Sequence, residues 1–215
     1  MERILATLPA LLSATGMTMS LTVVSIVFGM LLGLVLALGR ISKNPFLKGI
    51  TWVYIWVFRG TPMLLQIFFI FFVLPKIVPF LTTSPFNTAV IALGLNSAAY
   101  LAEIIRAAIQ SIDKGQFEAA KALGMNNNLA MMRIIIPQSI RRMLPPVGNE
   151  FIMLLKDTSL VSAIGLTELL KVGRQMTSAT GDAIYYLPTA VIYLLLTTVF
   201  TFAFEKLEKK YSVYE

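Results

Sequence analysis

The sequence predicts an all-α integral membrane protein with five transmembrane helices, its N-terminus outside and its C-terminus cytoplasmic. Three observations predict it. Hydrophobic residues make up 57% of the 215 and charged residues only 13%, with a mean hydropathy of +0.77, well outside the balance of water-soluble domains. The apolar residues fall into long runs bounded by charge, of the length a bilayer requires. The basic residues gather at alternate boundaries of those runs.

The first run, Ile4 to Gly39, holds no charged residue and exceeds the ~20 residues that cross a ~30 Å hydrocarbon core. It lacks the basic start, short apolar core and small-residue cleavage site of a signal peptide, so the span is placed at Met17 to Leu38 with an extension before it. Ser25, Gly29, Gly33 and Ala37 recur every fourth residue. Small residues so spaced form a groove for close helix approach, either within this subunit or at a dimer seam.

The second run, Ile50 to Leu74, is interrupted by Arg59. At Phe58-Arg59-Gly60-Thr61-Pro62 the chain is expected to change direction, Thr61 capping a helix whose first residue is Pro62. That helix is too short to span alone. The segment with Trp52, Tyr54 and Trp56 then either continues the crossing or lies at the interface, where amphipathic rings are favoured. Arg59 at the membrane centre would cost at least ~2.5 kcal/mol, so it faces protein, water or headgroups, as an anchor or as part of a pathway.

Asn87 to Ala102 is the third span. Its Asn96 and Ser97 need partners, which in lipid are another helix or a ligand. Glu103 and Arg106, three residues apart, pair on one helix face. The fourth span, Val147 to Leu166, is opened by Pro145-Pro146 and interrupted by Glu150, Lys156 and Asp157. Irregular charged backbone at membrane depth is tolerated where it lines a cavity, which makes Asp157, Thr158 and Ser159 candidates for a translocation site. In the alternative, Lys156 and Asp157 neutralise one another, or the stretch is a short re-entrant outer segment. The fifth span, Ile184 to Phe204, is the cleanest.

With the N-terminus outside, the inner boundaries receive Arg40, Lys43, Lys48, Arg106, Lys114, Lys121, Arg133, Arg141, Arg142, Lys206, Lys209 and Lys210, and the outer loops chiefly Lys76 and Arg3. The net charge of +7 then reflects topology and contact with anionic membrane lipid rather than nucleic acid. The chain has no cysteine and no histidine, which removes thiolate nucleophiles, imidazole bases and the commonest transition-metal ligands. No catalytic residue, metal site or cofactor is expected in it, and a membrane enzyme finds few candidate groups. A self-sufficient secondary transporter or channel for a small polar solute is the alternative; it would want an inverted repeat, and none is seen.

Between the third and fourth runs lies the only long polar interval. From Asp113 to Asn128 it contains Gln116, Glu118 and Lys121, with Ala119, Ala120, Ala122 and Leu123 favouring helix and Gly124 ending it. A helix of two to three turns needs something to pack against.

The pattern Glu118-Ala119-Ala120, Gly124 and Ile134-x-Ile136-Pro137 resembles the EAA signature of type I ABC importer permeases, with Ile136 where a leucine is usual. Phe58-Arg-Gly-Thr-Pro-Met-Leu-Leu-Gln66, Asn96-Ser-Ala-Ala-Tyr100, Glu103-Ile-Ile-Arg106, Ile136-Pro-Gln138, Leu144-Pro-Pro and Lys156-Asp-Thr-Ser-Leu160 are similar to the polar amino acid uptake subfamily. This likeness runs from about Thr15 to Glu208. It implies the type I ABC importer permease fold as a single domain over 1–215, with an ATPase-coupling loop at about 107–140, in a bacterial cell membrane. It also implies a second permease subunit (homo- or heterodimer), a cytoplasmic ABC ATPase dimer that holds ATP and Mg, and an external substrate-binding protein. In that family the EAA helix inserts into a cleft of the ATPase. Glu118, Ala119, Ala120 and Gly124 occupy the matching positions, with Gln116 and Leu123 on the same segment. The chain itself has no GxxxxGK[ST] loop to cradle nucleotide phosphates. A polar amino acid of the cystine, glutamine, arginine or histidine class is the implied cargo. Gln66, Asn96, Thr158 and Ser159 offer neutral donors and acceptors, Asp157 offers a carboxylate for a cationic group, and Arg59 lies on the same expected pathway.

Overall fold

The computed structural model describes residues 7–211, all of the regular structure among them helical. Arg3, expected on the outer side, lies outside the described residues. The helices are α1 (Leu8–Ile41), α2 (Pro45–Gly60), α3 (Met63–Phe68), α4 (Leu74–Ile77), α5 (Pro85–Gln110), α6 (Lys114–Ala122), α7 (Asn127–Ala130), α8 (Ile136–Asp157), α9 (Leu169–Thr180) and α10 (Tyr186–Tyr211). A π-helical turn, Phe69–Val73, joins α3 to α4, and another, Met131–Ile135, joins α7 to α8.

Polar side chains set half of the starts. Asn44 accepts from the amides of Phe46 and Leu47 ahead of Pro45, and Ser84 accepts from Asn87 ahead of Pro85. Each pairing satisfies an amide that the first turn leaves free, with proline where its missing N–H costs nothing.

Three helices are long and apolar enough to cross a membrane, around Leu8–Ile41, Pro85–Gln110 and Ala183–Tyr211, and the pair Pro45–Gly60 and Met63–Ile77 qualifies together but is bent by 108°. The second expected span is therefore two helices at more than a right angle. Thr61 does not cap the second of them. Its hydroxyl donates back to the Val57 carbonyl at 2.8 Å, and Pro62 stands in the N-cap position of α3.

The fourth expected span also differs. Pro145 and Pro146 do not open a helix; they lie inside α8, which begins at Ile136 with Pro137 in its first turn. Each internal proline frees the carbonyl four residues earlier, at Arg141 and Arg142, and both of those residues are exposed. After Asp157 the chain tightens into a 3₁₀ segment, Thr158–Ile164, and turns at Gly165 with φ 91°.

The helices meet in three apolar clusters. α1 lies along α5, and Ser25, Gly29, Gly33 and Ala37 are all buried in that seam. A β-carbon on Gly33 would stand 3.0 Å from the Leu101 Cβ and 3.1 Å from the Ala98 carbonyl oxygen. The groove expected from the sequence is thus filled within the subunit. Leu36, Ala37, Ile55, Ala98, Ala102 and Ile105 form one cluster beside it, and Leu21, Ile67, Leu93, Leu154, Val161 and Ile164 another. The third, around Leu11, Leu169 and Ile192, fixes α9 against the start of α1. Outward faces stay apolar: Leu31, Val35, Leu194, Val199 and Phe202 are all exposed, as lipid or a second membrane subunit requires.

Candidate functional site

The polar interval forms the helix α6 standing off the apolar body. Asp113 caps it by accepting from the Gly115 amide at 2.7 Å, and Gly124, at φ 77°, ends it in the left-handed conformation. Of the expected docking residues, Ala120 alone is buried, at 3% exposure, and forms the foot on which the helix rests. Gln116, Glu118, Ala119 and Gly124 are exposed, and Leu123 is 83% exposed. Lys121 lies over the Phe117 ring, 5.0 Å from its centroid.

Two polar contacts tie this element to the long helices. Arg142 of α8 donates to the Ser111 carbonyl and hydroxyl, and Gln138 approaches Gln116 at 3.5 Å. α8 is thereby linked to the docking element through Gln138 and the Met131–Ile135 turn, and to the end of α5 through Arg142.

The break between α2 and α3 gathers two of the expected pathway residues. The Gln66 amide nitrogen lies 2.9 Å from the Phe58 carbonyl, 3.1 Å from that of Thr61 and 2.8 Å from the Thr61 hydroxyl. Asn96 on α5 donates to the same Phe58 carbonyl at 3.1 Å and to the Gln66 Oε1 at 2.9 Å. A helix that stops inside the protein leaves its last carbonyls without partners. Here Thr61, Gln66 and Asn96 supply them. Tyr54 adds a bond to the Leu95 carbonyl at 2.8 Å.

Arg59 turns the other way. Its guanidinium stacks over Tyr100, 5.1 Å from the ring centroid, in a cavity shared with Trp52, Trp56, Arg40 and Glu103. Asp157, Thr158 and Ser159 lie together where α8 passes into the 3₁₀ segment, which packs against α3. Thr158 is fully buried and returns its hydroxyl to the Leu155 carbonyl at 2.7 Å. Ser159 and Lys156 open into a cavity of about 520 Å³ bounded by Tyr186 and Tyr193.

One residue that the sequence showed only as an interruption is Glu150. It is buried and accepts a 2.8 Å bond from the Ser97 hydroxyl, next to Asn96. Glu150 and Asp157 are seven residues apart on α8, two turns on one face. The available signal was that spacing of two carboxylates, with the apolar run Phe151 to Leu155 between them. Glu168, also passed over at the level of sequence, is fully buried, caps α9 and accepts from Tyr193 at 3.0 Å.

Comparison with known proteins yields a consistent set. Residues 25–213 match the family described as binding-protein-dependent transport system inner membrane component. The L-cystine transport system permease protein TcyB of Bacillus subtilis (strain 168) is 39% identical over 96% of this chain and 88% of its own length. The glutamine transport system permease protein GlnP of Escherichia coli (strain K12) is 37% identical over 96% of this chain and 94% of its own. A chain of an amino acid ABC transporter crystallised with histidines superposes with a TM-score of 0.91 at 38% identity, covering 97% of each chain. A chain of the inward-facing MetNI methionine ABC transporter, at 20% identity and a TM-score of 0.81 over 96% and 98% of the two chains, shares the fold.

Proposed function

The chain belongs to the binding-protein-dependent inner membrane components, among the amino acid ABC transporter permeases of type I fold, and from that premise we propose how it works. It is a multi-pass inner membrane protein that provides one half of the translocation pathway for a polar amino acid. The pathway crosses on five spans: α1, the bent pair α2 and α3, α5, α8 and α10, with the N-terminus outside. α8 serves as the fourth span despite its charges, because its 22 residues cover about 33 Å at the helical rise.

The observation that carries the coupling role is α6: a capped helix with an exposed Leu123 and Glu118, seated on the body through the buried Ala120. It docks into a cytoplasmic ABC ATPase through Gln116, Glu118, Ala119, Ala120, Leu123 and Gly124. ATP and Mg belong to that ATPase dimer, and this chain performs no catalysis. Among the described residues no group of three or more Asp or Glu is placed to hold a metal. A second permease copy or relative and an external substrate-binding protein complete the transporter. Closure of the ATPases displaces α6, and the Gln138 contact with Gln116 and the continuous path through the Met131–Ile135 turn pass that displacement to α8, while Arg142 carries it to the end of α5.

On the pathway side, Asp157 offers a carboxylate at the end of α8 for an ammonium or guanidinium group and Ser159 adds a hydroxyl, with Glu150 held behind them by Ser97. Cystine, glutamine, arginine and histidine all lie within that class. Gln66 and Asn96 serve this site from behind, by holding the α2–α3 break.

The test is purification with the native ATPase and binding protein, reconstitution, and measurement of ATP hydrolysis over a panel of amino acids. Stimulation by one polar amino acid identifies the cargo. Glu118→Lys and Gly124→Val are expected to insert normally and to lose at least tenfold in coupled uptake. Uptake unchanged in both variants would remove α6 from the coupling path.

A further inference from the structure

The corner where α1, α2 and α5 meet carries an excess of positive charge. Two adjoining cavities, of about 420 and 470 Å³, share Arg59, Tyr100 and Glu103. Arg40 lines the first, and Arg106 and Arg142 line the second, so four arginines surround one glutamate.

That glutamate is committed. Arg106 holds both its oxygens: Nε donates to Oε1 at 3.1 Å and to Oε2 at 3.0 Å, and Nη2 donates to Oε2 at 2.7 Å. Arg40 pairs more loosely with Oε1, its Nε 3.5 Å away, beyond good hydrogen-bond geometry, which leaves its terminal nitrogens for another acceptor. Arg59 has no carboxylate within 4.0 Å among the described residues and rests on the Tyr100 ring. Two guanidinium groups thus retain donor capacity toward one space. Trp52 and Trp56, stacked with centroids 6.0 Å apart and half or more exposed, form its rim.

A zwitterion does not suit this cavity, because its ammonium would need the carboxylate that Arg106 already occupies. An anion without a cationic end does. Guanidinium groups match phosphate oxygens geometrically, tryptophan favours the headgroup level, and basic pockets between helices at the cytoplasmic side take phospholipid heads. We propose that Arg40 and Arg59, walled by Trp52, Trp56 and Tyr100, bind a phosphate group, supplied by an anionic phospholipid of the leaflet at the Ile41 end of α1.

The experiment uses the permease–ATPase complex in nanodiscs of mixed phosphatidylglycerol and phosphatidylcholine, with retained lipid counted by native mass spectrometry after extraction. Phosphatidylglycerol is expected to be retained over phosphatidylcholine, and retention is expected to fall about fivefold in Arg40→Gln and again in Arg59→Gln. Lys43→Gln, an exposed cation outside the cavity, changes it by less than twofold. Wild-type discs challenged with millimolar inorganic phosphate distinguish the source: lipid that stays identifies the headgroup, and lipid displaced supports the same site with free phosphate as occupant. Equal retention in wild type and both arginine variants, or retention of phosphatidylcholine as strong as that of phosphatidylglycerol, overturns the proposal. Should Arg40→Gln fail to assemble with the ATPase, the Arg59→Gln variant and the lipid preference of the wild type decide alone. Substrate-stimulated ATP hydrolysis is read separately, so loss of the transport reading leaves the lipid result standing.

Discussion

The α1–α5 seam and the α2–α3 break lie side by side on the same helix α5, and they are held by opposite means. In the seam, Gly29 and Gly33 remove side chains so that backbones approach; a β-carbon at Gly29 would lie 3.1 Å from the Ser97 Cβ and 3.2 Å from the Gly94 carbonyl. Stability there is dispersion between surfaces that fit. At the break, fit is secondary. What matters is that carbonyls freed by a 108° bend find the amides of Gln66 and Asn96. A packed seam of continuous helices resists sliding and bending, while a break closed by three side chains has a second state available if those bonds exchange for water or substrate. On these grounds the seam is expected to be the fixed half of the subunit, and the break the place where movement costs least.

The largest expected effect breaks the seam. Gly33→Leu places branched carbon against Leu101 and the Ala98 backbone, neither of which is a flexible tip. Overpacking of this kind costs about 3 kcal/mol, read as a lowered thermal transition of the purified complex and poor membrane yield. A variant as stable as wild type would mean that the two helices separate in the assembled transporter.

The break should yield less, and in a graded way. Gln66→Leu strips the Thr61 carbonyl of its side-chain donor and leaves Phe58 with Asn96 alone, a loss of about 2 kcal/mol for buried groups left unsatisfied. Asn96→Ala leaves the Gln66 bonds to Phe58 and Thr61 in place and is expected to cost about 1 kcal/mol. The ranking, measured by thermal unfolding of the same complex, is the informative quantity. If Asn96→Ala proves the more damaging, the amide of Asn96 has a partner beyond this subunit, and its place in the cargo pathway gains weight.

These two regions also show what the sequence disclosed. Four-residue spacing of Ser25, Gly29, Gly33 and Ala37 is a local pattern with one physical use, so the groove was legible, and its occupant was narrowed to a helix of this or a second subunit. Gly124 was legible for the same reason, since helix termination is decided by neighbours in sequence; the Asp113 cap rests on equally local chemistry. Gln66 and Asn96 were not. A polar side chain in an apolar run signals only that a partner exists, and the partner here is a carbonyl 38 residues from Asn96, exposed by a bend whose angle no short motif encodes. Glu150 was obscured likewise, its Ser97 partner being 53 residues away. Pro145 and Pro146 misled because proline usually marks a helix boundary, whereas here the freed carbonyls belong to exposed residues and the helix continues.

The smallest expected effect sharpens the contrast within a single helix. Gly16 belongs to α1 as Gly33 does, but a β-carbon added there meets nothing within 4 Å. If glycine in α1 serves a general need for flexibility, Gly16→Ala should alter activity by stiffening the helix. If glycine matters only where another backbone is near, the same change gains up to about 1 kcal/mol of helix propensity and leaves uptake unaltered. We expect the second outcome, a thermal transition equal to or slightly above that of wild type with normal coupled uptake. It would assign the rigidity of this half of the subunit to the seam between helices rather than to the composition of α1.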